Sequence, residues 1–198
     1  MKRAQKIQRE PREQPKSKSL NGSHILLCIS GSIAAYRSCD LVRVLRKGGA
    51  EVTCLMTKAA ARFVSPLTFR ALSGKPVYSD PFSEQEDWTV LHTTLADQAD
   101  LILVSPATAD LIARLANGFA DDLVTSVALA SRAKVLIVPA MNDHMFTHPA
   151  TQENIRTLKQ IGYEVLEPIA GDLVCGRTGI GHLPETEDIL RSVEKLLA

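Results

Sequence analysis

No run of apolar residues in this 198-residue chain approaches the ~20 needed for a membrane-crossing helix, and no secretory signal opens it. Cysteine is scarce: the chain has 4, with no Cys-x-x-Cys pair among Cys28, Cys39, Cys54 and Cys175. Cys28 and Cys54 fall inside apolar, strand-like runs and Cys39 in a helical pattern, so all three read as buried free thiols. A cytoplasmic, reducing compartment is the resulting expectation. Net charge is nearly absent as well, at +1, which gives no electrostatic case for nucleic acid or a membrane surface as the main partner. No internal repeat is visible, no Gly-x-Gly-x-x-Gly fingerprint follows any strand, and no metal-ligating set is assigned.

What remains is an ordinary globular balance, 45% apolar and 23% charged, enough for one domain with a single core. Residues 1–22 stand apart: rich in Lys, Arg, Gln, Pro and Ser, they lack the apolar side chains that would offset ordering entropy. They read as a disordered basic tail, leaving 23–198 as the folded domain. Within it, short apolar runs alternate with helical periods. Strands are expected at His24–Ile29, Glu51–Met56, Leu101–Val104, Lys134–Val138 and Tyr163–Leu166. Helices are expected at Ile33–Lys47, Leu111–Ala116, Leu123–Ala130, Thr151–Ile161 and Glu187–Leu197. Wholly apolar strands separated by helices imply an α/β fold with a doubly wound, mainly parallel sheet, a flavodoxin-like or Rossmann-like three-layer sandwich. Ligands in such folds bind beyond the carboxyl ends of the strands, so the segments following the strands are where function is sought.

The first strand runs into Ser30-Gly31-Ser32-Ile33-Ala34-Ala35 and then a helix. Small residues and a helix N-terminus suit a phosphate, although a tight turn alone would also explain Gly31 and Ser32. Ser105-Pro106-Ala107-Thr108-Ala109-Asp110 forms a second such turn, with Thr108 as an N-cap. Two of them on one sheet edge favour a shared ligand, and a mononucleotide more than a dinucleotide. After the fourth expected strand comes Pro139-Ala140-Met141-Asn142-Asp143-His144-Met145. Here Asn142 can either grip a carboxylate or satisfy its own backbone, and the methionines can wall an apolar pocket. His92 lies in a loop-to-helix stretch. Gly171 to Gly181 carries four glycines in eleven residues around Cys175, which reads as a mobile flap with a functional thiol.

Pro-x-Met-Asn-x-x-Met, met by Pro139, Met141, Asn142 and Met145, resembles a motif of the flavin-containing cysteine decarboxylases. Ser-Gly-Ser-Ile-Ala-Ala-Tyr at 30–36, Ser-Pro-Ala-Thr-Ala-Asp-Leu at 105–111, His92 and Cys-Gly-x-x-Gly-x-Gly from Cys175 are similar to the same family, in the same order. Two positions depart from it: Phe146 stands where the family often has Trp, and His182 where bacterial members often have Arg.

The resemblance implies FMN as cofactor, with Gly31, Ser32 and Ile33 at its phosphate end. Thr57 and Ala107, Thr108, Ala109 and Asp110 are implied to bind the same cofactor, and Ala140 to lie against the flavin. It also implies Asn142 and Met145 as substrate contacts, His92 as base and Cys175 as proton donor, in an enzyme that decarboxylates 4'-phosphopantothenoylcysteine. Trimers or multiples of trimers follow on the same grounds. Since the chain closes soon after the flap, a separate enzyme is expected to supply the substrate. Direct loss of CO2 from a cysteine would leave an unstabilised carbanion, whereas a thioaldehyde places C=S β to the carboxylate as an electron sink. A bound flavin supplies that oxidation and its reversal with no net oxidant. The competing readings are a peptide C-terminal cysteine decarboxylase, a flavin prenyltransferase, which would lack the Cys175 segment, and a non-catalytic FMN-binding regulatory subunit.

Overall fold

The computed structural model of the protein describes residues 20–79, 91–172 and 178–198. Strand β1 (His24–Ile29) is followed by a 3-10 turn, Ile33–Arg37, then α1 (Ser38–Lys47) and β2 (Glu51–Met56). A short 3-10 turn, Ala60–Arg62, precedes α2 (Pro66–Ser73), β3 (Val77–Tyr78), α3 (Leu91–Gln98) and β4 (Leu101–Ala107). Next come α4 (Ala109–Ala116), α5 (Leu123–Ala130), β5 (Lys134–Pro139), α6 (Asp143–Thr147), α7 (Pro149–Gln160) and β6 (Glu164–Val165). The chain closes with β7 (Ile169–Asp172), β8 (Thr178–His182) and α8 (Thr186–Leu197).

The main sheet has six parallel strands in the order β3-β2-β1-β4-β5-β6. That is the dinucleotide-fold order; setting aside the two-residue edge strand β3, the other five follow the flavodoxin order. Strand order reverses between β1 and β4, so the ligand crevice of this architecture falls beyond their carboxyl ends. The central strands bury both faces by simple alternation. Ile25, Leu27 and Ile29 of β1 join Leu101 and Leu103 of β4 and Leu136 and Val138 of β5 in a core under α1, α2 and α8. Leu26, Cys28, Ile102, Val104, Val135 and Ile137 face the other core, under α3, α4, α5 and α7. This is the three-layer sandwich expected from the sequence.

Several expectations are corrected. Leu20, assigned above to the tail, is fully buried in the first core. Its N–H donates to Gly48 O at 3.2 Å, and Gly22 N–H to Gly49 O at 3.3 Å. An isolated leucine in polar company gives little sequence signal, yet it caps the α1–β2 turn, so the fold includes residues 20–22. The single helix expected over Ile33–Lys47 is a 3-10 turn and then α1. Its entry is held tight by Ser32 Oγ, which accepts from Ala34 N–H, and by buried Ser38 Oγ, which donates to Ser105 O at 2.8 Å. Helix α2 and strand β3 were not anticipated. Yet α2 carries its own signals: Ser65 caps it, Pro66 opens it, and Gly74 at φ +70 closes it. Finally, the arms of the expected flap form an antiparallel ribbon, β7 with β8.

Candidate cofactor and substrate site at the carboxyl edge

The turns following β2, β1, β4 and β5 are joined edge to edge. Ser30, 1% exposed, donates from its hydroxyl to Pro106 O at 2.7 Å and accepts from Thr108 N–H at 2.9 Å. Ser30 N–H also donates to Pro106 O, at 3.3 Å. One buried serine thus ties the β1 turn to the β4 turn across the switch in strand order. On the other side, a Cβ added at Gly31 would stand 2.4 Å from Ala59 Cβ, so the β1 and β2 turns touch where only glycine fits. Ala140 N–H donates to Ala107 O at 3.0 Å, which sets the β5 turn beside the β4 turn. Met141 N–H donates to Gly181 O at 3.1 Å, bringing β8 onto the end of the row.

Along this rim the hydroxyls share one pattern. Ser32 Oγ accepts from Ala34 N–H at 3.2 Å, Thr57 Oγ1 from Ala60 N–H at 3.1 Å and Thr108 Oγ1 from Leu111 N–H at 3.3 Å. A hydroxyl that accepts from backbone keeps its O–H to donate, which suits an anion. The N–H groups of Gly31 and Ile33 have no acceptor among the described residues. These donors beside a helix entry fit a phosphate. Buried Ala107 and Ala140 leave room next to them, and exposed Ile33 offers apolar surface to a ring. The donor set therefore fits FMN. Asp110 stands outside the bonded rim, exposed and paired with Arg114 at 3.3 Å. Ser105 Oγ is buried without a partner among the described residues.

Asn142 is the N-cap of α6, its Oδ1 accepting from His144 N–H at 3.0 Å. Here the self-satisfying reading holds for the oxygen, and that bond also fixes the direction of the amide group. A Cβ at Gly179 would lie 2.9 Å from Asp143 Cβ, and one at Gly181 only 2.1 Å from Met141 O. Gly181 is also at φ +144. At these two positions the glycines serve close approach of β8 to the Met141–Asp143 loop, where the sequence suggested mobility. Met145 is exposed and Phe146 buried.

His92 sits half-buried in the first turn of α3, whose main packing partner is α5. Among the described residues, none of the hydrogen bonds that join the rim of Gly31, Ser32, Thr108, Ala140 and Asn142 involves His92. Cys175 and its immediate neighbours lie outside the described residues. The other three thiols are not nucleophile candidates. Burial pushes Cys28 far up and Cys54 up to about 12, and burial, then Asp40, raises Cys39. Ala59 was missed from sequence, and Ser30, quoted there within its turn, was given no bridging role; the available signal was that a serine directly ends both β1 and the apolar part of β4.

A parallel α/β sheet with four small-residue turns locked together at its switch point defines a mononucleotide-binding protein of the flavodoxin type. The chain belongs to the Flavoprotein family, whose model matches residues 13–198. It is 51% identical over 179 residues to the coenzyme A biosynthesis bifunctional protein CoaBC of Bacillus subtilis (strain 168), spanning 90% of this chain but 44% of that protein. It is 47% identical over 175 residues to the probable phosphopantothenoylcysteine decarboxylase of Streptococcus mutans, covering 87% of this chain and 98% of that one. Among solved structures, it is similar to a cysteine-to-serine mutant of PPC decarboxylase complexed with pantothenoylaminoethenethiol. The TM-score is 0.81 at 28% identity, covering 87% of this chain and 97% of that one. The FMN-dependent cysteine decarboxylase SpaF superposes with a TM-score of 0.78 at 28% identity, covering 89% and 95%. The chain thus spans under half the length of the bifunctional relatives it matches and nearly all of the single-function one.

Proposed function

We propose that this chain is an FMN-dependent decarboxylase that converts 4'-phosphopantothenoylcysteine to 4'-phosphopantetheine in coenzyme A synthesis. The observation that carries this reading is the continuous rim, from Ala59 through Gly31, Ser30, Pro106 and Ala107 to Ala140 and Met141. It offers anion donors at one end and Asn142 at the other. A relative named as a probable phosphopantothenoylcysteine decarboxylase, 47% identical over 87% of this chain and 98% of its own length, supports the substrate.

Gly31, Ser32, Ile33, Thr57, Ala107, Thr108 and Ala109 would hold the cofactor, with Ala140 bordering it; Asp110, exposed and paired with Arg114, would reach it only from outside the bonded rim. FMN, when bound, supplies the acceptor for hydride leaving the thiol-bearing carbon and the donor that returns it. Asn142, its amide oriented by the His144 N–H, hydrogen-bonds the substrate carboxylate, and Met145 borders it. His92 would remove the thiol proton, its ring nitrogen acting as the base. With the thioaldehyde formed, the C–CO2 bond breaks and its electron pair passes to sulfur as an enethiolate. Cys175 would then give its proton to the carbon that lost CO2; with the hydride restored by the bound cofactor, the net change is one proton taken up and one CO2 released.

Among the described residues His92 takes no part in the hydrogen bonds that join the rim, a pattern consistent with a site completed in a homo-oligomer, a trimer or multiple of trimers. Ile33, Tyr36 and Phe63, each at least half exposed beside the rim, supply apolar surface for that contact. The cytoplasm is the proposed compartment; no described helix is long and apolar enough to cross a membrane. Cofactor extraction tests the reading: FMN released from the purified protein at one per chain supports it. A colourless protein that takes up no added FMN overturns it.

A further inference from the structure

Arg37 is the last residue of the 3-10 turn Ile33–Arg37 that Ser32 caps, and its side chain is 14% exposed. Its guanidinium reaches three groups at the far end of β8. Nη1 donates to Leu183 O at 3.1 Å and stands 3.4 Å from His182 Nε2; Nη2 donates to Glu185 Oε2 at 2.8 Å. Glu185 is itself the N-cap residue of α8, and its carbonyl accepts from Asp188 and Ile189 N–H. An exposed ion pair alone would carry little weight. This one differs because the same guanidinium is largely buried and also bonds the carbonyl of Leu183, which is 2% exposed in the core. Only a planar, five-donor group can serve acceptors spread over His182, Leu183 and Glu185, so lysine would keep the charge and lose the arrangement.

The contacts continue beyond Arg37. Immediately before His182, Gly181 presses on Met141 O and takes the Met141 N–H, and Gly179 presses on Asp143. A path of direct contacts therefore runs from the Ser32 turn through Arg37 and β8 to the loop carrying Asn142. We infer that Arg37 is a positioning residue, which fixes the seating of β8 on Met141–Asp143 and so holds Asn142 in register with the turn that receives the phosphate. The inference deepens the proposed function and rests on it for the role of Asn142, while the seating of β8 stands on geometry alone.

Hydrogen exchange and steady-state kinetics of the FMN-loaded protein test it with wild type, Arg37→Ala and Arg37→Lys. In Arg37→Ala the Met141 amide, bonded to Gly181 O, is expected to exchange at least ~10-fold faster, while amides of α7, outside the path, keep their wild-type rates. KM for phosphopantothenoylcysteine should rise more than kcat falls, with Arg37→Lys intermediate in both readouts. Unchanged Met141 protection overturns the inference, as does acceleration spread equally over α7. A loosened Met141 with unchanged KM overturns the link to Asn142. If the wild type fails to turn over this substrate, the functional reading falls, and the exchange data still decide whether Arg37 seats β8.

Discussion

Gly31 and Asn142 show why a residue at this site has to be read from its neighbours. Glycine after a strand suggests a phosphate turn, but the geometric reason for Gly31 is Ala59, whose Cβ stands 2.4 Å from where a side chain would begin. Gly31→Ala is expected to cost about 1–3 kcal/mol as overpacking. Because it spreads the β1 and β2 turns, the purified variant should also retain clearly less FMN by absorbance; wild-type flavin content would contradict the account. Asn142 offers a cleaner separation of fold from chemistry. Aspartate caps helices as well as asparagine does, so Asn142→Asp should unfold within ~1 kcal/mol of wild type by urea titration. It should still bind FMN. The new carboxylate would meet that of the substrate, and kcat/KM should drop at least ~100-fold from charge repulsion at short range. Normal turnover would remove Asn142 from carboxylate binding. The motif around Asn142 was legible in sequence, whereas the capping bond that orients it was not, because it depends on where α6 starts.

At the scale of elements, the strands were the most legible part. β1 and β2 begin and end as read, since short, mostly apolar runs bounded by polar turns have few other uses in a parallel sheet. α2 and β3 escaped because an eight-residue helix with a modest apolar face and a two-residue edge strand owe their form to packing. The β7–β8 ribbon escaped for a different reason: glycines that permit close approach look in sequence like glycines that permit motion. Leu20 gives the sharpest test at this scale. Removing residues 1–19 should leave stability and flavin content near wild type. Removing 1–22 deletes fully buried Leu20 with its bond to Gly48 and the Gly22 bond to Gly49, and should cost about 2–5 kcal/mol in urea unfolding. Equal stability of the two truncations would show that Leu20 contributes nothing to the core.

Across the whole molecule, the two cores hold thiols that must stay protonated. Cys28 and Cys54 are raised above the ordinary value of 9.0 in the folded protein, chiefly by burial. The folded state therefore holds these protons at pH values where the unfolded chain has released them. Their contribution is fully present below about pH 9 and declines as pH rises toward 12, so the unfolding free energy should fall through that window. Cys54→Ala, less stable at neutral pH because of the cavity it leaves, should show a shallower decline; parallel curves would contradict the assignment. The architecture itself, with function at the switch between β1 and β4, followed from the alternation of apolar runs and helical periods. The joining of four turns into one rim did not, because Ser30, Ala59 and Gly181 come together only once the sheet order is set.

The decarboxylation itself is the most direct test of the account. FMN-loaded protein is incubated with phosphopantothenoylcysteine, and in parallel with a peptide ending in cysteine, and the products are identified by mass spectrometry. The account predicts loss of CO2 from the first substrate to give the saturated amine-thiol, with little from the peptide. Flavin-loaded protein that releases no CO2 from either would contradict it and leave an FMN-binding subunit. Release from the peptide alone would keep the chemistry and overturn the substrate.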